Sequence, residues 1–182
     1  MTGHALAVDV SSVLRETGAA LDVDADVPLG SITAGDAVIE FVEAPRLTVT
    51  VTNVGDVLTV RGFVEATATV ECARCLEPFP LHIRGAVEAA VALTGEADSS
   101  LEDHEWYSLN GETLDLLPAA ESAIRMEMPF APVHAESCRG ICPTCGCDLN
   151  RDECGCEPTH PGAHDTPFAA LRELLPPVER ED

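Results

Sequence analysis

Hydrophobic and polar residues alternate over several segments in the first half of the chain. In residues 46–52, leucine and valine alternate with threonine, and the longer run at 57–71 keeps most of its apolar residues on one side. Alternation with a period of two is typical of β-strands that bury one face. The pattern predicts strands at 37–42, 46–52, 57–71 and 81–94, with turns at 53–56 and at Pro78 and Pro80.

Weaker signals lie before and after these strands. Residues 6–17 have the pattern of a short helix, and residues 19–35, which contain Pro28 and Gly30, predict a loop with one edge strand. A short strand at 106–109 leads into Asn110-Gly111, a dipeptide that favours a tight hairpin turn. We therefore expect further strands outside the central alternating region.

Two helices are predicted in the second half. Asp115 stands in a capping position before residues 116–127, whose apolar residues recur at helical spacing and which end before Pro129. A final helix is predicted at 166–176, where Pro167 occupies the first turn and several leucines form an apolar stripe.

These elements together predict an α+β fold, with a mostly antiparallel β-sheet, a few helices and a C-terminal cysteine-rich zinc knuckle. The 46% hydrophobic content is sufficient for a core. The predicted parts are an N-terminal short helix and loop (1–35), an antiparallel sheet core with the helix 116–127 (36–130), a cysteine-rich zinc-binding segment (131–165) and a C-terminal helix (166–176).

The charge of the chain restricts its partners. The formal net charge is -22, with thirty-two acidic residues against ten basic ones, all of them arginine. Such a field repels phosphate backbones and disfavours bulk binding to nucleic acid. No segment is apolar enough to cross a bilayer, and the first residues lack the pattern of a secretory signal. We therefore expect a cytoplasmic protein, in which clustered cysteines bind metal more often than they form disulfides.

Six of the eight cysteines lie within residues 138–156, which is too dense for ordinary core cysteines. One Cys-x-x-Cys pair, Cys142 and Cys145, is followed by one Cys-x-Cys pair, Cys154 and Cys156. Four sulfurs at this spacing suit tetrahedral zinc. Iron-sulfur ligation and disulfides are the alternatives, although the single-residue gap between the last two cysteines is tight for an iron-sulfur cluster. The preferred zinc ligands are Cys142, Cys145, Cys154 and Cys156.

Other residues compete for this zinc site. Cys138 is the main rival for the position of Cys154 or Cys156, and His160 is a candidate substitute because it follows Cys156 by four residues. Cys147 is expected to be free. His134 and His164 are interpreted as solvated loop histidines, and the acidic segment 95–105 as an open loop without a cation site.

The upstream pair Cys72-Ala-Arg-Cys75 has three interpretations. It completes a second metal site with Cys138 and Cys147, it forms a redox dithiol, or it is a structural turn with reduced thiols. Arg74 between the two cysteines would stabilise a thiolate, which favours the first two interpretations. A thioredoxin-like enzyme would place the pair at a strand-to-helix junction, whereas this pair joins two predicted strands.

The order of these motifs resembles a known family. The segments CARCLEPF, LDLLP, MPFAPVH and CRGICPTCGCDLN occur in that order and are similar to the YceD-like proteins of bacteria and chloroplasts, named for accumulation of large-subunit ribosomal RNA. The resemblance covers about residues 47–175 and is specific only when both cysteine motifs are considered. It implies a non-enzymatic role in making or maturing the large ribosomal subunit, with 23S rRNA as the affected molecule, and it supplies no catalytic residue.

The resulting hypothesis is an accessory factor that contacts a ribosomal protein or an rRNA-processing factor, or the 23S rRNA precursor directly. An acidic protein suits a basic partner, whereas direct RNA contact would need a local patch of Arg74, Arg139 and Arg151. The alternative is a zinc-binding or dithiol redox protein unrelated to the ribosome. The sequence has no HExxH motif, nucleophile elbow or phosphate loop, so we expect neither an enzyme nor a small-molecule substrate.

Overall fold

The computed structural model describes residues 6–34, 37–93, 106–107 and 109–156. The chain divides into two compact units, Met1–His134 and Ala135–Asp182, which are described separately below. The predicted acidic loop 95–105, the C-terminal helix 166–176, His160 and His164 all lie outside the described residues. None of the helices within the described part of the chain is long and apolar enough to span a membrane.

All regular elements of the described residues belong to the first unit. The helices are α1 (Ser11–Leu14) and α2 (Leu117–Glu127). The strands are β1 (Ala7–Asp9), β2 (Ala20–Asp26), β3 (Ser31–Ala34), β4 (Ala37–Phe41), β5 (Arg46–Asn53), β6 (Val57–Glu71), β7 (Pro78–Ala92), β8 (Trp106–Tyr107), β9 (Leu109–Asn110) and β10 (Thr113–Asp115).

Strand β6 is the centre of a seven-stranded sheet. One edge of β6 pairs along its whole length with β7, from Glu71 opposite Pro78 to Val57 opposite Ala92. The other edge pairs with β5 and then with β4, which continue to β2 and β3 respectively. These pairings are antiparallel, and only the short β8 adds to β7 in parallel. A separate small sheet has the order β1-β10-β9. The predicted α+β fold with a mostly antiparallel sheet is confirmed.

The core of the first unit lies under the alternating strands. In β5, every second residue is buried, and the apolar side of β6 continues this layer. Helix α2 packs on β6 and β7 and contributes Ile124 and three buried alanines. The alanines permit close approach, because Gly85 of β7 lies so near the helix that an added Cβ would be 2.5 Å from the backbone oxygen of Ala123. Helix α2 therefore packs closely against the long β6–β7 hairpin.

The N-terminal region differs from the expectation of one helix. Residues 7–9 form β1, paired with β10, and the helix is reduced to the four residues of α1. The carboxylate of Asp115 explains part of this arrangement, because it accepts hydrogen bonds from the N–H groups of Leu6 and Leu117. It therefore holds the entering chain beside β10 and accepts a hydrogen bond from the N–H of the first residue of α2, Leu117. Asp115, predicted as the cap, is not the N-cap residue, which is Leu116 without a side-chain cap hydrogen bond.

Strand β7 begins at Pro78, within the segment predicted to be a turn. The N–H of Cys72 donates to the carbonyl oxygen of Glu77 at 3.0 Å, so the Cys72–Glu77 pair is hydrogen-bonded and the next pair, Glu71–Pro78, is not. In an antiparallel ladder these two types alternate. Pro78 and Pro80 therefore occupy positions that donate nothing to β6, and their missing N–H groups leave the ladder intact.

Candidate metal centres

The turn at Cys142-Pro-Thr-Cys145-Gly146 curls around a sulfur atom. The N–H of Gly146 donates to the carbonyl oxygen of Cys142 at 2.8 Å, and the N–H of Cys142 donates to the carbonyl oxygen of Cys147 at 2.8 Å. Gly146 has φ of 73°, a left-handed conformation that glycine adopts without steric cost. Backbone N–H groups of the same turn point at the Cys142 sulfur.

Four sulfur atoms of the second unit are gathered around one point. The Sγ atoms of Cys142, Cys145, Cys147 and Cys154 all lie within 4.8 Å of one another. Cys154 is 3.3 Å from Cys142 and 3.5 Å from Cys145, measured between sulfurs. A tetrahedral zinc ion with Zn–S bonds of about 2.3 Å separates its sulfurs by about 3.8 Å. The arrangement therefore fits one zinc ion.

The two alternative uses of these sulfurs fit less well. None of the eight cysteines forms a disulfide, because sulfurs more than 3 Å apart are not bonded as a disulfide of about 2.05 Å. An iron-sulfur cluster places several irons and sulfides between its thiolates. Four sulfurs within 4.8 Å of one another leave room for a single ion.

The protonation of the cluster is uneven. Backbone N–H groups of Cys145 and Thr144 lower the pKa of Cys142 to about 6. The pKa of Cys145 is also lowered, chiefly by the N–H of Cys147. The pKa of Cys147 is raised to about 12, first because its thiol is hydrogen-bonded to the Cys145 sulfur and then by burial. Since thiolates bind metals, a divalent cation would replace the shared protons and stabilise all four sulfurs as anions.

The gathered sulfurs differ from the predicted ligand set at one position. Cys147, expected to be free, joins the group in place of Cys156. Cys156 stays close, because its N–H donates to the Cys154 sulfur at 3.3 Å. Cys138 is buried, and Asn150 Nδ2 donates to its sulfur at 3.5 Å. The ligand roles of Cys156 and Cys138 remain predictions.

Serine replacements can assign the fourth ligand. We expect Cys147→Ser to weaken zinc binding at this centre more than Cys156→Ser, because the Cys147 sulfur lies within reach of the other three. Losing a residue that only supports a ligand typically costs about 10- to 100-fold in affinity, so the loss of a thiolate ligand should exceed that. Competition with a chromophoric chelator measures both variants. The opposite order would assign Cys156 as the ligand.

The first unit has its own cysteine pair, at the turn between β6 and β7. Cys72 is fully buried and Cys75 is half-buried. Their sulfurs and a ring nitrogen of His134 lie within 4.8 Å of one another, with Cys75 Sγ 3.4 Å from His134 Nδ1. His134 is therefore not a purely solvated histidine. Sequence reasoning missed it because 59 residues separate it from Cys75, and no local spacing relates the two.

The three arginines proposed for RNA contact are distributed over both units. Arg74 is exposed in the turn between β6 and β7, while Arg139 and Arg151 are exposed in the second unit. The guanidinium of Arg151 lies 3.4 Å from the Asp148 carboxylate, which offsets its charge. A joint basic patch stays a prediction.

An open groove of about 790 Å³ lies in the first unit between β4, the end of β6 and the segment after α2. Phe130 is fully exposed on this groove and Val38 is 66% exposed. Glu40 and Glu71 add two carboxylates, whereas the lining Arg125 is already paired with a glutamate of its own helix. The groove is therefore mostly apolar, with two carboxylates among its lining residues.

Comparison with known proteins assigns a family. The family model described as "Large ribosomal RNA subunit accumulation protein YceD" matches residues 60–175, more than half of the chain. The chain belongs to the YceD family. The matched part contains all eight cysteines and His134, so both candidate metal centres of this YceD-family chain lie within it. The family resemblance drawn from the motifs is confirmed.

Relatives of this YceD-family chain occur in bacteria and plants. An uncharacterized protein of Mycobacterium bovis is 35% identical over 129 residues, which cover 70% of the chain and 60% of that relative. An uncharacterized protein of Mycobacterium leprae is 31% identical over 173 residues, 93% of the chain and 77% of the relative. A Zea mays protein, named large ribosomal RNA subunit accumulation protein YCED homolog 1, chloroplastic, is 25% identical over 56% of the chain and 44% of the relative. No solved structure matches.

The chain is shorter than several of these relatives. It spans 60% of the length of the Mycobacterium bovis and Mycobacterium tuberculosis proteins. Family membership rests on the family model over residues 60–175.

Proposed function

We propose that this chain is a non-enzymatic accessory factor for biogenesis of the large ribosomal subunit, which supports accumulation or processing of 23S rRNA in the cytoplasm. The observation that carries the proposal is the match to the YceD family over residues 60–175. The name of the maize relative, a large ribosomal RNA subunit accumulation protein, supports the same role.

The partner we propose is a basic ribosomal protein or an rRNA-processing factor. A net charge of -22 attracts basic proteins and accelerates their encounter, while it repels RNA. Protein contact is therefore favoured over direct contact with the 23S rRNA precursor through Arg74, Arg139 and Arg151.

The groove beside β4 supplies a contact surface that fits such a partner. Exposed Phe130 and Val38 can bury apolar side chains, and Glu40 and Glu71 can pair with basic ones. Basic ribosomal-protein segments that also carry apolar residues match this combination of apolar surface and carboxylates. We propose that one such segment occupies the groove.

Zinc is the proposed cofactor, and its role is structural. The sulfurs of Cys142, Cys145, Cys147 and Cys154 lie within 4.8 Å of one another, so an ion bound by all four would have no ligand position left for a substrate. A closed four-sulfur set is typical of zinc that stabilises a fold and not of catalytic zinc.

Depletion of the protein in its own host tests the functional proposal. We expect the amount of mature 23S rRNA to fall relative to 16S rRNA, and re-expression of the wild-type chain to restore it. Quantitative analysis of total RNA measures the ratio. An unchanged ratio after complete depletion would refute a role in large-subunit biogenesis.

Complementation with groove variants tests the contact surface. We expect a chain with both Val38→Ser and Phe130→Ser to restore less than half of the lost 23S rRNA, because these substitutions remove exposed apolar surface without opening the core. Val54→Ser is the matched control, since Val54 is 56% exposed and does not line the groove. Full restoration by the double groove variant would show that the groove is not the contact surface, while the proposed ribosomal role would still stand.

A further inference from the structure

We propose that Cys72, Cys75 and His134 form a metal centre of the first unit, which binds one divalent transition-metal ion such as zinc. This inference does not depend on the ribosomal role. It assigns the upstream cysteine pair to metal binding and adds a histidine ligand.

The first argument is that both Cys-x-x-Cys turns have the same backbone. The N–H of Leu76 donates to the carbonyl oxygen of Cys72 at 2.9 Å, as Gly146 does to Cys142 at 2.8 Å. The N–H of Cys72 in turn donates to the carbonyl oxygen five residues later at 3.0 Å, and that of Cys142 does so at 2.8 Å. The upstream turn is therefore built like the one whose sulfurs are gathered for an ion.

The conformation of Leu76 is the second argument. Its φ is 63°, and it is the one non-glycine residue with positive φ among the described residues. A branched side chain in the left-handed region costs of the order of 1 kcal/mol. A plain hairpin turn would place glycine or asparagine there. The strained position is explained if the turn must hold both sulfurs on one side.

The third argument is the position of the histidine. Its Nδ1 atom is 3.4 Å from Cys75 Sγ, and its ring packs edge-on against Phe79, with 6.3 Å between centroids. The chain just before it is tied to the turn, because the N–H of Ala73 donates to the carbonyl oxygen of Pro132 at 2.7 Å. Two thiolates and one imidazole are ordinary zinc ligands, and the fourth position of a tetrahedral ion accepts a further ligand or water.

A dithiol enzyme is the competing use of this pair, and burial argues against it. Burial would raise the pKa of Cys72, but N–H groups of His134 and of its own turn lower that pKa to about 5. A thiolate is useful both to a redox enzyme and to a metal. The attacking sulfur of a redox enzyme must reach its substrate, however, and Cys72, the sulfur whose thiolate the turn stabilises, is 0% exposed.

Elemental analysis of the full chain, purified anaerobically after expression with zinc, tests the proposal. We expect two zinc ions per wild-type chain and one in His134→Ala, which keeps the backbone N–H groups but removes the imidazole. His82→Ala is the control and should retain two, because His82 is exposed and bonded to the Thr67 hydroxyl. The double variant Cys142→Ser/Cys145→Ser should retain one ion, held in the first unit.

Cobalt substitution distinguishes loss of a ligand from misfolding as the reason why His134→Ala would lose metal. In His134→Cys we expect two cobalt ions per chain with stronger thiolate-to-cobalt absorption than the wild type, because a sulfur replaces a nitrogen. Two zinc ions in His134→Ala, or a cobalt spectrum of His134→Cys identical to that of the wild type, would overturn the proposal. A wild-type chain that binds one ion would overturn it as well.

Discussion

Replacing Cys142 and Cys145 together with serine is expected to unfold the cysteine-rich segment of the second unit, while the sheet of the first unit remains folded. Within residues 135–156 the structure contains a single isolated β-bridge, between Ile141 and Asp148, and no helix or strand. The buried side chains of this described segment are those of Cys138 and Cys142. The segment therefore has almost no apolar core.

The size of the effect follows from this lack of a core. Ordering a backbone costs about 1–2 kcal/mol per residue, and two buried thiols cannot offset that cost over the segment. Structural zinc contributes about 10–16 kcal/mol in small knuckles of this kind. Zinc bound as proposed would therefore be the largest source of stability for residues 135–156, and the serine substitutions would remove two of its ligands.

Hydrogen exchange followed by mass spectrometry measures this outcome. We expect the amides of Cys142 and Gly146, which are hydrogen-bonded within the turn, to lose protection in the double variant and in chelated wild-type protein. The paired variant Pro143→Ala/Thr144→Ala keeps both sulfurs and should retain protection. Unchanged protection of these amides in metal-free double variant would show that something other than metal folds the segment.

The sheet was the part of the fold most accessible from the sequence. Strand β6 has the predicted bounds, 57–71, because its alternation is interrupted only near Gly62 and Phe63 and its ends are marked by a turn and by Cys72. Helix α2 begins one residue after the predicted start. Both elements have local patterns strong enough to define them without knowledge of their neighbours.

The errors arose where tertiary pairing outweighs local preference. Residues 7–9 become β1 because β10, more than a hundred residues later, supplies the pairing partner. Pro78 and Pro80 extend β7 because the register places them at positions that donate nothing to β6. Neither register is visible in a local window of sequence.

Some of the candidate metal ligands could be predicted from sequence spacing, and others depend on the fold. Cys142, Cys145 and Cys154 are recognisable from spacing alone, and the structure gathers them. The addition of Cys147 depends on how the turn folds back, since the N–H of Cys142 is bonded to the Cys147 carbonyl. His134 depends on the path of the chain after α2. Ligands from distant segments therefore need the fold before they can be assigned.

Gly85→Ala is expected to destabilise the first unit by about 3 kcal/mol, at the upper end of the range for overpacked cores. A Cβ at this position would lie 2.5 Å from the carbonyl oxygen and 2.8 Å from the carbonyl carbon of Ala123. Both are backbone atoms of α2, so no side-chain rotation relieves the clash and the helix itself must move. Its displacement would loosen the contacts that Ile124 makes in the core.

Urea unfolding followed by far-ultraviolet circular dichroism measures this loss as a lower midpoint at an unchanged slope. Gly30→Ala is the matched control, because no atom lies within 4 Å of its added Cβ, and the same substitution at an unstrained site is neutral or stabilises by about 0.4–1 kcal/mol. Equal midpoints for the two variants would show that α2 does not pack tightly on β7. A selective loss in Gly85→Ala would instead show that the glycine and the buried alanines of α2 together set the distance between helix and sheet.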